Sequence, residues 1–216
     1  MTTNNDFKKI ILKNMELQWP RLDQPYRFNE RDKQSEPCAP TAPQAAYSVG
    51  FIMSVEDAKA FKAGLVAHYN ECKANNKKLP DFGSIFGAKL DEEHNIVRFS
   101  AKKNAMSRDG NPNKVPTIVG PDQKDLEDKA IWSGSTGHLR LLAFPATNPT
   151  TGEGGISLML DAVQVTDAVY GSDNLEDDFG PAVQDEPFSA APDTPAPAPA
   201  PEPEPEVAAA ATQGGF

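Results

Sequence analysis

The chain has little of what builds enzymes or disulfide-stapled scaffolds. It holds two cysteines, Cys38 and Cys72, too few for a disulfide framework or a zinc knuckle. Free thiols in a reducing compartment are the expectation. It has three histidines, His68, His94 and His138. Cys72 lies one helical turn from His68, and Asp91 precedes His94 by three residues. Each is only a pair, whereas a zinc site takes three or four protein ligands, so His68 and Cys72 read as the packed face of a helix. No Gly-rich loop with a phosphate-binding Lys is present, and no G-x-S-x-G nucleophile turn. Gly152-Glu153-Gly154-Gly155 reads as a hairpin tip, and Asp122, Asp125, Glu127 and Asp128 as a solvated acidic loop. The expectation is a non-enzymatic protein with no metal site and no cofactor. No apolar run reaches the ~18 residues of a membrane span. The start, Thr-Thr-Asn-Asn-Asp after Met1, lacks a signal-peptide apolar region. Membrane association is therefore not expected, and the protein is expected to stay in the cytoplasm where it is made.

Positive charge is missing from one long stretch. Residues 172–216 contain no Lys or Arg but ten of the 31 acids, and all 21 basic residues precede them. The net charge of −10 therefore sits on that stretch, and residues 1–171 are formally neutral. This split suggests one folded domain, 1–171, followed by an acidic arm, 172–216. The Pro-Ala-Glu run from Ser189 to Ala211 has almost no large apolar side chains to offset ordering entropy, so the arm is expected to be disordered. Gly214-Gly215-Phe216 puts one ring on a tether, which reads as a hook for a partner. Glu202, Glu204 and Glu206 are the glutamates of the run.

What is present in 1–171 is mainly strand pattern with one helix. Strands are predicted over 8–18, 47–53, 95–101, 115–119, 138–144 and 156–170, with an extended aromatic segment at 19–29. Ser54 as N-cap, with Glu56 and Asp57 in the first turn, starts a helix over 55–75. Ala58, Phe61, Leu65, His68, Tyr69 and Cys72 fall on its apolar face. Residues 30–45 and 80–93 read as loops, residues 121–129 as a short helix or loop, and Asp109-Gly110-Asn111-Pro112 as a turn joining two strands. About five strands and one helix suggest a small closed or partly open β-barrel.

Binding chemistry is better represented than catalysis. Arg98, Phe99, Lys102, Lys103, Arg108 and Lys114 interleave cations with an aromatic around one hairpin, and Arg140 and Phe144 occupy a second strand beside a flexible loop. Single-stranded nucleic acid needs both elements: cations to track phosphates and flat rings for bases. Phe99 and Phe144 fit a core position as well as a stacking one.

Over most of 1–171 the layout resembles phage single-stranded-DNA-binding proteins of the T-seven type. The stretches that carry the resemblance are YSVGFIM with its following helix, IVRFSAKK, VPTIVG, HLRLLAFP with its Gly-rich hairpin, ISLMLDAVQV, and the acidic tail ending in Phe216. The resemblance implies an OB-fold barrel with an added helix, a possible homodimer, and work in DNA replication, recombination and repair in the cytoplasm of an infected bacterial host. It implies a tail that regulates DNA binding and recruits phage replication proteins such as a polymerase or helicase. It places Arg98, Phe99 and Lys102 in a basic-aromatic strand, Phe144 near the stacking aromatics, and Lys8 or Lys9 near an N-terminal lysine that touches DNA. This tail is richer in Pro and Ala, and the second strand carries fewer aromatics. The rival expectations are a phage assembly protein that binds no DNA and a metal-dependent DNA-processing enzyme. Removing 172–216 tests the first, and magnesium-dependent loss of labelled DNA tests the second.

Overall fold

The computed structural model describes residues 6–170. The acidic arm, with Glu202, Glu204, Glu206 and Phe216, lies outside them.

The chain begins with β1 (Lys8–Asn29), a strand of 22 residues where a shorter strand and a separate extended segment were expected. Its pairing with β8 shifts register between Leu12 and Met15, and its pairing with β3 between Gln18 and Arg21 and again before Tyr26. Asn14 and Trp19 take positive φ at these irregularities. Such bulges bend a strand without ending it, so β1 serves two sides of the sheet. β2 (Gln34–Pro37) folds back on its end, within a stretch expected to be loop. β3 (Ala46–Ser54) leads into α1 (Val55–Asn75). β4 (Phe82–Ile85) and β5 (Lys89–Asp91) follow, also where a loop was expected. β6 (Ile96–Asn104), β7 (Thr117–Val119), β8 (Thr136–Thr147) and β9 (Gly154–Asp167) complete the order.

Strands β9, β8, β1, β3 and β6 are neighbours in that order, and β6 returns to β9, closing a five-stranded barrel. The closing ladder is parallel, and the other four are antiparallel. β7 runs parallel to β9 rather than back along β6. The expected β6–β7 hairpin is therefore corrected. An isolated bridge, Met106 to Pro112, spans that loop, and Asn113 Nδ2 donates to the Asn104 carbonyl at 2.9 Å.

Alternation fills the barrel. On β8, Leu139, Leu141 and Ala143 point in, and on β9, Ile156, Leu158, Leu160, Val163 and Val165 do so. Phe51 and Phe99 stack at 5.2 Å between ring centroids inside the barrel. Helix α1 occupies the predicted span. Asp57 N donates to the Ser54 hydroxyl at 3.1 Å, which satisfies one of the first-turn amides. The helix touches β3, β4, β6, β8 and β9, so it lies across one mouth of the barrel. Its inner face buries Ala58, Leu65, His68, Tyr69 and Cys72, and Phe61 meets Phe99 edge-on. His68 Nε2 lies 3.1 Å from the Asp6 carbonyl, in line with a packed role.

Candidate nucleic-acid interface

On β6 the residues alternate between core and outer surface. Phe99 and Ala101 are buried, while Arg98, Ser100 and Lys102 take the opposite face, as a period of two requires. Their partners on β3 are Ile52, Gly50 and Ser48, and Gly50 and Ser48 face Gln18 and Arg21 on β1. The middle of this surface is therefore paved with Ser48, Gly50 and Ser100. The absence of bulk there leaves a trough. A Cβ on Gly50 would come within 2.9 Å of the Gln18 carbonyl oxygen, so strand approach fixes glycine at this point.

The trough opens into a cleft of about 1010 Å³. Its cations are Arg21, Lys89, Arg98, Lys102, Lys103 and Lys114, and no Asp or Glu among the described residues lines it. Asn104 and Asn113 add amides, and Phe86, Phe144 and Trp19 add rings. It lies on the second and third barrel strands, the face with which OB-folds bind oligonucleotides.

The cations differ in how far they are already paired. Arg98 Nη2 and Nε donate to Asp91 Oδ2 at 2.7 and 3.2 Å. Asp91 also accepts from the His94 amide and lies 3.0 Å from His94 Nδ1. Arg98 and then His94 hold its carboxyl down at a pKa of about 2. Lys103 Nζ lies 3.9 Å from Asp161, and its side chain is only 12% exposed. Lys102 and Lys114 are exposed, and no ion pair among the described residues engages them.

Of the residues expected at a binding site, the structure gathers Arg98, Lys102, Lys103, Lys114 and Phe144 around this cleft. Phe99 needs correction as a stacking residue. It is 3% exposed, held between Phe51 and Phe61, and supports the cleft from beneath. Lys8 Nζ donates to the Gly64 carbonyl at 3.2 Å, which ties it to the helix. Lys9 pairs with Leu142 of β8 and is outside the lining, while Phe7 packs on Phe144 with ring centroids 5.4 Å apart. Arg108 sits on the exposed turn closed by Ser107 N to the Asn111 carbonyl, outside the lining. Arg140 is also outside, with Nε 2.6 Å from Asp161 Oδ2.

Sequence reasoning missed Trp19, Arg21 and Lys89. Lys89 stands opposite Arg98 on a strand of three residues, too short to read from periodicity. Trp19 is 60% exposed and carries Arg98 beneath its ring, the guanidinium carbon 5.9 Å from the centroid. The Trp19-Pro20 pair inside an otherwise continuous strand was the available signal, since Pro in a strand marks an edge or a bulge.

No known protein family and no curated protein matches the sequence. Solved structures match the fold. The single-stranded DNA-binding protein of bacteriophage Enc34 in complex with ssDNA has a TM-score of 0.52 at 15% identity, over 77% of this chain and 93% of that one. Gp2.5, a single-stranded DNA-binding protein encoded by bacteriophage T7, has a TM-score of 0.52 at 15% identity, over 86% and 100%. A C-terminal truncation of the Enc34 protein gives 0.51 at 15%, over 77% and 92%. The chain shares their fold over nearly the full length of each.

Proposed function

We propose that the cleft is a sequence-tolerant groove for single-stranded DNA, and that the protein shields unpaired DNA in phage replication, recombination and repair without catalysing a reaction. One observation carries this reading: among the described residues six cations line the cleft and no carboxylate does. Bases of any sequence present a flat face, so a cationic channel with rings at its edges holds a strand without reading it. Neutralised phosphates release counterions, which makes such binding salt-dependent.

The fold shared with single-stranded DNA-binding proteins of bacteriophages Enc34 and T7 supports the same reading. The acids of 172–216, among them Glu202, Glu204 and Glu206, would compete with phosphate for these cations. Phe216 would engage a replication protein such as a polymerase or helicase, and a homodimer would be the working unit. These roles rest on the charge split and on the family resemblance.

The test is a gel-shift series with labelled single- and double-stranded oligonucleotides, with and without magnesium. Salt-sensitive retention of intact single strands supports the proposal. No retention at low salt, or magnesium-dependent loss of the label, would sink it.

A further inference from the structure

We propose that Trp19 is a base-stacking platform of this cleft, and that Asp91, which lines no part of it, positions that platform by clamping Arg98 beneath the indole. The inference rests on the reading that the cleft takes single-stranded nucleic acid.

Trp19 is an unusual place to leave a large ring. Its backbone has φ 44, a region that bulky residues seldom occupy. It sits at the register shift between Gln18 and Arg21, and its amide donates to the Ser133 hydroxyl at 2.8 Å. The backbone is thus fixed from the far side while the indole remains mostly exposed. Sparsely populated backbone geometry persists where the surroundings over-determine it, and such sites gather at ligand contacts.

Arg98 meets the exposed indole at cation–π distance. It is matched more tightly than Lys103, whose Nζ lies 3.9 Å from Asp161. Two of its N–H groups are committed to one Asp91 oxygen, and Asp91 is itself fixed by His94. A guanidinium held in this way is a poor free phosphate ligand but a good planar support for an aromatic ring. The cleft therefore divides its work. Lys89, Lys102 and Lys114 are engaged by no ion pair among the described residues and are left for phosphates. The Asp91–Arg98–Trp19 stack is left for a base.

The chain has two tryptophans, Trp19 and Trp132, so full-length Trp132→Phe makes Trp19 the sole indole reporter. Unlabelled oligothymidylate should quench its fluorescence, while the anisotropy of a labelled oligothymidylate reports affinity. In this background Trp19→Ala should lower affinity roughly 5- to 150-fold with the dependence of log affinity on log salt unchanged. Trp19→Phe should recover most of the loss. Asp91→Asn should weaken binding by roughly fivefold, the low end of that range, again with the slope unchanged.

Stronger binding by Asp91→Asn, with a slope steeper by ~0.7, would mean that Arg98 is a phosphate contact restrained by Asp91, and would overturn the proposal. Should that variant not fold, Arg98→Lys takes its place. It keeps the charge but loses the planar fork, and unchanged affinity would likewise overturn the platform. Lys89→Ala with Lys114→Ala separates this proposal from the groove reading. If that pair loses affinity while Trp19→Ala does not, the groove stands and the platform fails. If the parent protein binds no oligothymidylate, both fail.

Discussion

Lys102 of β6 and Met159 of β9 are register partners in the parallel ladder that closes the barrel, and both line the cleft. The groove therefore straddles the seam of the barrel. The same row continues in both directions through pairings: Met159 to Leu142 to Lys9 on one side, Lys102 to Ser48 to Arg21 on the other. With strands ~4.8 Å apart, this row spaces Lys9, Lys102 and Arg21 around the outer wall with apolar or small residues between them. A backbone of regularly spaced phosphates crossing the strands meets cations at intervals rather than in one knot.

Adjacent lysines on β6 should then behave differently. Lys102 is exposed, whereas Lys103 lies near Asp161. Lys102→Ala should lower single-strand affinity and flatten the slope of log affinity against log salt by ~0.7, the value of one phosphate contact. Lys103→Ala should change the slope less, since its charge is partly matched within the fold. Titrations at several salt concentrations check this. Equal slopes for the two variants would place both lysines in the same role.

The two phenylalanines first weighed as stacking residues should separate into stability and binding. Phe99→Ala removes a fully enclosed ring and should cost ~3–5 kcal/mol of stability, with normal binding per folded molecule. Phe144 is half-buried against Phe7, and Phe144→Ala should cost ~1–3 kcal/mol of binding if the ring carries a base. Thermal melting and DNA titration of each variant decide the matter. A Phe144→Ala protein that melts low but binds normally would move that ring to the core as well.

What was legible in the sequence was whatever has a long, local period. Ser54, Glu56, Asp57 and the spacing from Ala58 to Cys72 define α1 without help from the rest of the fold. β3, β6, β8 and β9 alternate over many residues and were expected close to where they lie. β2, β4 and β5 are three or four residues long and owe their pairing to longer neighbours, so no pattern marks them. β1 looked shorter because the breaks at Asn14 and Trp19-Pro20 interrupt its alternation, although pairing resumes beyond each. The floor cations Arg98 and Lys102 were visible as a basic strand. Trp19 over Arg98 was not, because tertiary pairing through β3 brings β1 and β6 to one surface. Burial decided Phe99, and burial is a property of the closed barrel rather than of the IVRFSAKK stretch.

The clamp on Arg98 should survive acid further than an ordinary carboxylate would allow. The Asp91 pKa falls from 3.8 to about 2 in the folded chain, first through Arg98 and then through His94. A depressed carboxylate contributes stability that is fully present above its unfolded pKa and lost as pH falls through its folded pKa. The stability difference between wild type and Asp91→Asn should therefore be constant above about pH 5 and shrink between pH 3.8 and about 2. Denaturant melts across that window check the sign. A difference that did not shrink as pH fell below 3.8 would remove the Asp91 charge as its source.

The charge split between 1–171 and 172–216 makes the sharpest demand. The ten acids that account for the net −10 are in the second stretch, and among the described residues the cleft offers six cations and no carboxylate. On the proposed reading, Glu202, Glu204 and Glu206 compete with phosphate for those cations. Competition of this kind weakens as salt screens it. Deleting 172–216 should therefore tighten DNA binding most at low salt, and the gain should shrink toward high salt. It should also admit double strands more readily, because the same acids repel any polyanion. Deleting Phe216 alone removes a ring and no side-chain charge, so DNA affinity should stay nearly constant while capture of a replication partner is lost. Titrations of the three proteins from low to high salt measure all of this. A truncated protein that binds no better than full length at low salt would leave the acids with no role in the groove.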